Sequence, residues 1–379
     1  MLPDGWQNTR RVLVIRLDNI GDVIMLSPAL RVLRQALPEA TLTLMASPAG
    51  SQVAPLLPWL DDLMPRRVVW QDVSGRMPLD TSRELALVEE IHARSFDAAV
   101  IFTSFSQSPY PPAYICYLAG IPLRLGQSKE FGGSLLTQWV RPLPDEAHQV
   151  ERNLFLLESA GFQVVDRALE LCIPTGIQAA ADNLLRASGV DPQEPFILLA
   201  PGASCAARRY DPLRFAVVAR VLAVKTCLPV VIAGSEQERQ LATPIIEASR
   251  RQGIVSLVGK TSIPELAGVI RRASLVLCNN SGPLHIADAL RRPLVVLYSG
   301  TDHESQWRPR SAPARLLRQP TDCSPCYRFN CPYNLECLDI PAGEVVAAAI
   351  DLLESHAIDR RPVPSPLAGR RLGGKSKGV

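Results

Sequence analysis

A chain of 379 residues is longer than one hydrophobic core usually supports, so the length predicts two domains. With 47% hydrophobic and 20% charged residues, the composition is typical of a globular enzyme, and a formal net charge of +3 gives no electrostatic case for nucleic-acid binding. The longest apolar run, residues 215–234, is interrupted by Arg220 and Lys225 and cannot span a membrane. The first residues lack the basic start of a secretory signal, so we expect a cytoplasmic protein.

Short apolar runs alternate with helical patterns along residues 1–174. They predict buried parallel strands at residues 12–15, 41–45, 97–102 and 120–126, with helices between them. An amphipathic helix over residues 148–161 and a short run at residues 171–174 end this half, and we place a linker at Thr175. Such alternation predicts an N-terminal α/β domain over residues 1–174.

A second series of strands and helices begins at residue 196. It predicts a helix from Leu213, a last helix over residues 342–354, and strands at residues 196–200, 229–234, 254–258, 275–278 and 293–298. We therefore expect a C-terminal α/β domain over residues 175–345, which faces the first domain across a cleft. Residues 359–379 are rich in Pro, Gly, Arg and Lys and are predicted to be a disordered tail.

The segment from Arg16 to Arg31 places an acidic residue directly after a glycine turn. A predicted strand ends near Arg16, Gly21 and Asp22 follow, and a helical pattern begins at Pro28. Because ligands of parallel sheets bind at the carboxyl ends of the strands, we expect Asp22 to face the cleft, where its carboxylate can act as a base. The alternative is that Asp22 only caps a helix.

Two motifs carry a resemblance to a known family. Arg16-Leu-Asp-x-x-Gly-Asp22, followed by Pro28-Ala-Leu, resembles the amino-terminal signature of glycosyltransferase family 9, the ADP-heptose:lipopolysaccharide heptosyltransferases and their relatives. Asn280-Ser-Gly-Pro-Leu-His285, in a segment that runs to Asp302, is similar to the nucleotide-site segment of the family. The resemblance implies two Rossmann-like domains in the GT-B architecture, with the acceptor on the first and the nucleotide sugar on the second. It also implies that the end of the last helix, residues 346–358, crosses back.

The resemblance further implies an inverting glycosyltransferase with Asp22 as its base. The donor would be ADP-heptose or a related nucleotide sugar, and the acceptor a lipopolysaccharide core or another cell-envelope glycan, with no cofactor and no metal required. A lipid-linked acceptor would bring the enzyme to the inner face of the cytoplasmic membrane. The alternatives are a nucleotide-sugar epimerase or hydrolase of the same fold and a non-catalytic nucleotide-sugar-binding protein.

Several residues of the second half could meet the charge of a departing nucleotide diphosphate. Gly202, Ala203 and Ser204 form a small-residue loop after a strand. Asn280, Ser281 and Gly282 lead into a helix that begins at a proline and can bind an anion at its N-terminus. The guanidinium of Arg208 is suited to binding phosphate. The motif match adds Leu284 and His285 to the donor site, where His285 would help to hold the diphosphate.

Other candidates would contact the nucleoside, the sugar or the acceptor. Glu238 matches a family acid that contacts the nucleoside, but Glu236 competes for that role, and a carboxylate at a helix start could instead stabilise the helix dipole. The sequence departs from the family pattern where Asn280 replaces Asp and Arg208 replaces Lys, so these residues leave the identity of the donor open. Sugar or acceptor contacts are expected for Gly21, Ser104, Thr301 and Asp302.

Four of the nine cysteines lie close together near the end of the second half. Cys323, Cys326, Cys331 and Cys337 begin with a C-x-x-C spacing that suits a small structural zinc site, a loop closed by disulfides, or free thiols near a turn. A similar loop recurs in family members that are not described as zinc enzymes. Zinc is therefore the less favoured alternative, and only in a structural role.

Overall fold

The computed structural model describes residues 3–72, 75–247 and 253–356. This part of the chain forms two sheets of six parallel strands each. The first sheet has the spatial order β3-β2-β1-β4-β5-β6, and its strands are β1 (Arg11–Arg16), β2 (Thr41–Ala46), β3 (Asp62–Pro65), β4 (Ala98–Ile101), β5 (Leu123–Gln127) and β6 (Gln138–Val140).

The central strands of the first sheet are the ones that the sequence predicts. In β1, Val12 lies opposite Leu42 of β2 and Ala98 of β4, and the strand is buried on both faces after Arg11. A parallel strand that is covered on both faces needs a continuous apolar run, and such a run can be recognised in the sequence. The edge strands β3 and β6 were not predicted because they are short and partly exposed.

Five helices cover the first sheet within the described residues. They are α1 (Ile20–Ile24), α2 (Ser27–Ala36), α3 (Thr81–Ala93), α4 (Tyr110–Leu118) and α5 (Gln149–Ser159). α5 packs against α2 and β5 in the first domain, and its Glu151 also pairs with Arg310 of the second domain. Short 3-10 turns complete this half at Gly50–Leu56, Val69–Gln71 and Gly133–Leu135.

The second sheet has the order β12-β11-β10-β7-β8-β9. Its strands are β7 (Ile197–Ala200), β8 (Val230–Ile232), β9 (Ile254–Ser256), β10 (Leu275–Asn279), β11 (Leu294–Leu297) and β12 (Ala314–Leu317). The edge strand β12 was not predicted, because its residues are only half-buried. The two doubly wound parallel sheets confirm the predicted α/β class.

The helices of the second half are α6 (Thr175–Ala187), α7 (Pro212–Thr226), α8 (Arg239–Glu247), α9 (Ile263–Arg272), α10 (Gly282–Ala289), α11 (Glu304–Trp307) and α12 (Ala342–His356). The linker predicted at Thr175 is instead the first turn of α6. α6 packs on α9, where Gln178 donates to the Gly268 carbonyl at 3.2 Å and Asp182 pairs with Arg272 at 2.7 Å. The chain therefore enters the second domain directly after Pro174.

α12 belongs to the second domain. Val345 and Leu352 are fully buried, and the helix packs on α7 and on β10, β11 and β12. The predicted crossing back to the first domain is not seen up to His356, and residues 357–379, which include the predicted tail, lie outside the described residues. None of the helices in the described ranges combines the length and apolar character that crossing a bilayer requires.

The two domains also meet along a seam of hydrogen bonds at one end of the cleft. Ser305 Oγ donates to the Glu146 carbonyl at 2.7 Å, and Gln306 Nε2 donates to the Asp145 carbonyl at 2.6 Å. In the opposite direction, His148 Nε2 bonds the Arg308 carbonyl at 3.0 Å. These bonds fix the first domain against α11 and the residues that follow it.

Candidate active site

A cavity of about 870 Å³ lies between the domains at the carboxyl ends of both sheets. The first domain contributes the residues that follow β1, β2 and β4, and the second contributes those that follow β7, β8, β10 and β11. This is the edge at which parallel α/β sheets bind ligands. The predicted site residues that line it are Gly21, Asp22, Ser104, Gly202, Ala203, Ser204, Arg208, Glu238, Asn280, Ser281, Gly282, His285, Thr301 and Asp302.

A fully buried arginine organises the carboxylates of the first domain. Arg16 ends β1, and its Nη2 lies 2.8 Å from Asp22 Oδ1 while its Nε lies 2.8 Å from Asp18 Oδ2. The second oxygen of Asp22 accepts a bond from the Asn19 backbone N–H at 3.2 Å, near the start of α1. Asp22 therefore makes the helix-cap contact and also faces the cavity, so the two interpretations of this residue coexist.

Asp18 is a cavity residue that the sequence did not single out. Its Oδ1 accepts bonds from Gln71 Nε2 at 3.0 Å and from Gln107 Nε2. Burial raises the pKa of Asp18, and the Arg16 guanidinium opposes that shift. No local pattern announces this cluster, because Gln107 is 89 positions from Asp18 and reaches it only in the fold.

Gly21 and His285 bring the domains together beside Asp22. The imidazole of His285, on α10, lies so close to Gly21 that an added Cβ would be 2.5 Å from its Cδ2. Burial, reinforced by Arg208, lowers the pKa of His285 to about 4. His285 is therefore neutral at pH 7, and it can offer a hydrogen bond to a diphosphate but no positive charge.

The start of α10 forms the part of the cavity next to α1. Ser281 precedes the helix and Gly282 begins it, with the Gly282 Cα so near Ile20 that an added Cβ would lie 3.3 Å from its Cγ2. Asn280 is buried and lines the cavity. Leu284 points into the hydrophobic core and is not among the lining residues, so its predicted role in donor binding has no side-chain contact with the cavity.

The small-residue loop after β7 is fixed by side chains that donate hydrogen bonds to its carbonyls. Asn279, at the end of β10, donates through Nδ2 to the Pro201 carbonyl at 2.7 Å, and Arg209 Nε donates to the Ala203 carbonyl at 3.1 Å. With its carbonyls occupied in this way, the loop presents Gly202 and the exposed Ser204 to the cavity. The sequence did not reveal Asn279, since it reads as the last residue of an apolar strand.

Arg208 is held in position by Thr301 and Asp302, two of the residues predicted to contact the sugar or the acceptor. Its Nη2 lies 2.5 Å from Asp302 Oδ2, and its Nε donates to Thr301 Oγ1 at 3.0 Å. Thr301 in turn donates to Asp302 at 2.7 Å. Thr301 and Asp302 therefore hold the guanidinium in place at the cavity, in addition to lining it themselves.

Both Glu236 and Glu238 line the cavity, but only Glu238 packs on the small-residue loop at Gly202. Glu238 Oε2 accepts bonds from Ser235 N at 2.7 Å and Oγ at 3.0 Å, and its Oε1 is so near Gly202 that an added Cβ would lie 1.7 Å away. Glu236 is exposed and is engaged by both Nε and Nη2 of Arg239 at 2.5 Å. Glu238 thus combines the helix-start role with a position in the cavity wall.

The side of the cavity formed by the residues after β4 carries polar and aromatic groups. Ser104 follows β4, and its backbone N–H is bonded by Gln107 Oε1 at 2.9 Å. The neighbouring Phe105 meets Tyr327 of the second domain with ring centroids 5.3 Å apart. Tyr327 belongs to the cysteine-rich segment, so this segment closes part of the cavity wall.

The nine cysteines, all within the described ranges, are free thiols. Of the clustered four, Cys323 is exposed and Cys337 is buried, and Cys326 donates its backbone N–H to the Gly300 carbonyl at 3.0 Å. In residues 3–72, 75–247 and 253–356 no group of three or more His, Cys, Asp or Glu side chains is arranged to hold a metal ion.

Two doubly wound domains of the same topology, with a cavity between the carboxyl ends of their parallel sheets, form the architecture of the GT-B glycosyltransferases. Comparisons with known proteins agree: the family model of glycosyltransferase family 9 (heptosyltransferase) matches residues 85–336. The chain belongs to glycosyltransferase family 9, and it is a glycosyltransferase.

Curated relatives and solved structures cover most of the chain. Lipopolysaccharide heptosyltransferase 2 of Escherichia coli K12 is 26% identical over 81% of this chain and 88% of its own length. Lipopolysaccharide heptosyltransferase 3 of the same strain is 24% identical over 89% of this chain and 96% of its own. The structure of E. coli ADP-heptose LPS heptosyltransferase II covers 92% of this chain and 99% of its own, at 23% identity and a TM-score of 0.73. These matches support the transferase and not the epimerase or binding-protein alternatives.

Replacement of Asp18 by Asn should slow sugar transfer without preventing folding. Arg16 would then lose the charged partner of its Nε, and the guanidinium would hold the Asp22 carboxylate less firmly in its present orientation. We expect kcat to fall roughly tenfold, which is less than the factor of about 10²–10⁴ that a general base contributes, because the Asp22 carboxylate itself is retained.

The matched control for this variant is Asp166→Asn, which removes a carboxylate that pairs with Arg31 at 3.0 Å. It should leave kcat unchanged. A wild-type kcat for Asp18→Asn would contradict the role assigned to Asp18.

The free energy of unfolding should decrease as the pH is lowered from about 6.5 to 4. Burial lowers the pKa of both His285 and His148 to about 4. Below pH 6.5 the unfolded chain therefore binds protons that the folded protein does not, and stability is lost as the pH falls. Between pH 7 and 5 we expect a loss on the order of 2 kcal/mol per histidine in urea unfolding.

The variant with both His148→Gln and His285→Gln should show a flatter dependence over the same pH range, where most carboxylates stay ionised. The His92→Gln variant serves as the control, because the His92 side chain bonds the Ala119 carbonyl away from the cavity. An equal pH slope in the double variant and the wild type would refute the assignment.

Proposed function

We propose that this glycosyltransferase transfers heptose from ADP-heptose to a lipopolysaccharide core or a related cell-envelope glycan, with inversion at the anomeric carbon. The curated relatives named as lipopolysaccharide heptosyltransferases support the sugar and the acceptor class. The ADP-heptose named for the E. coli enzyme, which has the same fold, supports the donor. We assign no metal or cofactor to the reaction beyond the nucleotide sugar.

The observation that carries the proposal is the placement of Asp22. Its carboxylate is the acidic group of the first domain that lines the cavity directly beside the contact between α1 and α10. An acceptor hydroxyl that lies within hydrogen-bond reach of Asp22 loses its proton to the carboxylate as its oxygen attacks the anomeric carbon. Arg16 and Asn19 orient the carboxylate, because one holds each of its two oxygens.

The second domain supplies the groups for the leaving nucleoside diphosphate. Arg208 contributes the positive charge, and the backbone N–H groups of residues 202–204 and of the start of α10 contribute hydrogen bonds. We place the ribose beside Glu238, which borders the same loop. The sugar then lies between the diphosphate and Asp22, which is the arrangement that an in-line displacement requires.

Substitutions relative to the family pattern fit this assignment. Asn280 replaces a carboxylate with a neutral amide next to the diphosphate groups, which removes one source of repulsion with a negative leaving group. Arg208 retains a positive charge where the family has Lys and can bind phosphate through two N–H groups. Asp302 balances that guanidinium, so its direction is fixed before the donor binds.

We place the enzyme in the cytoplasm, where nucleotide sugars are available, and at the inner face of the cytoplasmic membrane when its acceptor is lipid-linked. This placement follows from the acceptor class that we propose.

Replacement of Asp22 by Asn tests the base. It preserves the shape of the side chain and should reduce kcat for transfer by about 10²–10⁴-fold, the contribution of a general base, while the dissociation constant for ADP stays within about twofold of the wild-type value. The exposed Asp4→Asn variant is the control and should transfer at the wild-type rate. Wild-type turnover in the Asp22 variant would refute the assignment.

The donor nucleotide can be identified by thermal unfolding with ADP, UDP, GDP and NAD in turn. A nucleotide at a hundredfold excess over its dissociation constant stabilises the folded protein by about 2.7 kcal/mol. We expect ADP alone to raise Tm, and Arg208→Gln to reduce that shift. Stabilisation by UDP or GDP instead would overturn the ADP-linked donor but keep the transferase.

A further inference from the structure

Tyr327 lines the cavity in a backbone conformation that tyrosine rarely adopts. Its φ is 52°, in the left-handed region, where a bulky side chain crowds its own backbone. Among the described residues, five others that are not glycine have a positive φ, and none of them lines the cavity: Ser95, Cys227, Arg291, Asn334 and Leu335. The first three follow the ends of α3, α7 and α10, where a left-handed residue is the ordinary way to end a helix. Tyr327 has no such helix to end.

Hydrogen bonds of the main chain hold this conformation in place. The Tyr327 N–H donates to the Thr301 carbonyl at 2.8 Å, and the carbonyl of Phe329 accepts a bond from the Ala207 N–H at 3.0 Å. Both partners belong to loops that carry other cavity residues. A strained residue persists only where its surroundings fix it, and such residues gather at binding sites. The position of the Tyr327 ring is therefore determined by the second domain.

The ring of Tyr327 reaches across to the first domain. Its centroid lies 5.3 Å from that of Phe105, which follows β4, with an angle of 44° between the ring planes. On its own domain it lies 6.3 Å from the ring of His303. These contacts cover only part of the side chain, because Tyr327 remains 46% exposed. We refer to the rings of Tyr327 and Phe105 as the aromatic platform.

The charges around the aromatic platform favour a ligand without a charge of its own. Burial raises the pKa of the Tyr327 hydroxyl, and the carboxylates of Asp302, Asp145 and Glu146 raise it further. Carboxylates at this distance accept hydrogen bonds and repel an anion. Arg328, the next residue, is exposed and lines the cavity, so its guanidinium offsets part of that negative charge. A neutral group that carries hydroxyls suits this wall.

We propose that the aromatic platform binds a pyranose ring of the acceptor glycan, with Tyr327 as a residue that determines acceptor affinity. A pyranose has C–H groups on its faces and hydroxyls around its edge, so it can bury apolar surface on an aromatic ring while its hydroxyls bond polar groups. The diphosphate and ribose of the donor are assigned to Arg208 and Glu238 of the second domain. The platform instead lies where the first domain meets the second, which leaves it to the acceptor. The inference deepens the proposed function and rests on it for the reaction, but not for the binding of the glycan.

Initial rates with ADP-heptose and a lipid-free lipopolysaccharide core oligosaccharide test the platform. Tyr327→Gly should raise the KM for the oligosaccharide by roughly tenfold, the order of effect expected from loss of one aromatic contact. The kcat and the KM for ADP-heptose should stay within about twofold of the wild-type values, because the groups that act on the donor are retained. Tyr327→Phe keeps the ring and should restore most of the affinity for the oligosaccharide.

The matched control is Tyr333→Gly. Tyr333 lies in the same cysteine-rich segment and is 52% exposed, but it does not line the cavity, so its replacement should leave both KM values unchanged. Thermal unfolding separates the two variants further. Glycine adopts the left-handed conformation without strain, so Tyr327→Gly should have a higher Tm than Tyr333→Gly.

An unchanged KM for the oligosaccharide in Tyr327→Gly would overturn the inference, and so would an equal rise in the KM for ADP-heptose. Calorimetric titration of the same oligosaccharide into the ADP-loaded enzyme requires no transfer. Binding that weakens in Tyr327→Gly, in a wild type that transfers no heptose, would support the platform and refute the proposed reaction. No binding of the oligosaccharide to the wild type would overturn the platform itself.

Discussion

The approach of Gly21 to the imidazole of His285 sets the distance between the two domains where the chemistry takes place. A side chain at position 21 would force the ring to move, because an added Cβ would lie 2.5 Å from its Cδ2, closer than van der Waals contact allows. The contact brings α1 and α10 together and places Asp22, one residue after Gly21, at the boundary of the domains. It also buries His285 and keeps it neutral. The absence of a side chain at one position thus permits the close approach of α1 and α10 beside Asp22.

Both domains bring charges of both signs to the cavity. Two carboxylates surround the buried Arg16 of the first domain, and the second domain presents Arg208, Glu238 and Asp302 together with backbone N–H groups. A buried charge carries a desolvation cost, which the attraction of a counter-charge in direct contact offsets. Arg16 is paired in this way with Asp18 and Asp22, and Arg208 with Asp302. Each half is therefore stable before any ligand enters, and the two halves form a complete site only when they face each other.

The sequence predicted those parts of the molecule that local patterns control. Central strands such as β1 and β10 are continuous apolar runs, and Asp22 follows a glycine turn at a strand end, so both were found. The short edge strands β3, β6 and β12 are half-exposed and carry no such run. The linker at Thr175 was wrong because the helical period of α6 begins directly after Pro174. Asp18 and Asn279 were missed because their partners are distant in sequence, and only the fold brings them together.

The seam beside the cleft has a consequence for how relatives of this chain can diverge. Ser305 and Gln306 bond to main-chain carbonyls of the first domain, and His148 bonds to a main-chain carbonyl of the second. A carbonyl oxygen is present whatever side chain the residue carries. Mutations at Asp145, Glu146 and Arg308 can therefore accumulate without loosening these bonds, whereas a change at Ser305, Gln306 or His148 removes one of them. Among relatives, we therefore expect the residues that contribute only a carbonyl oxygen to the seam to vary, and the residues that contribute a side chain to be retained.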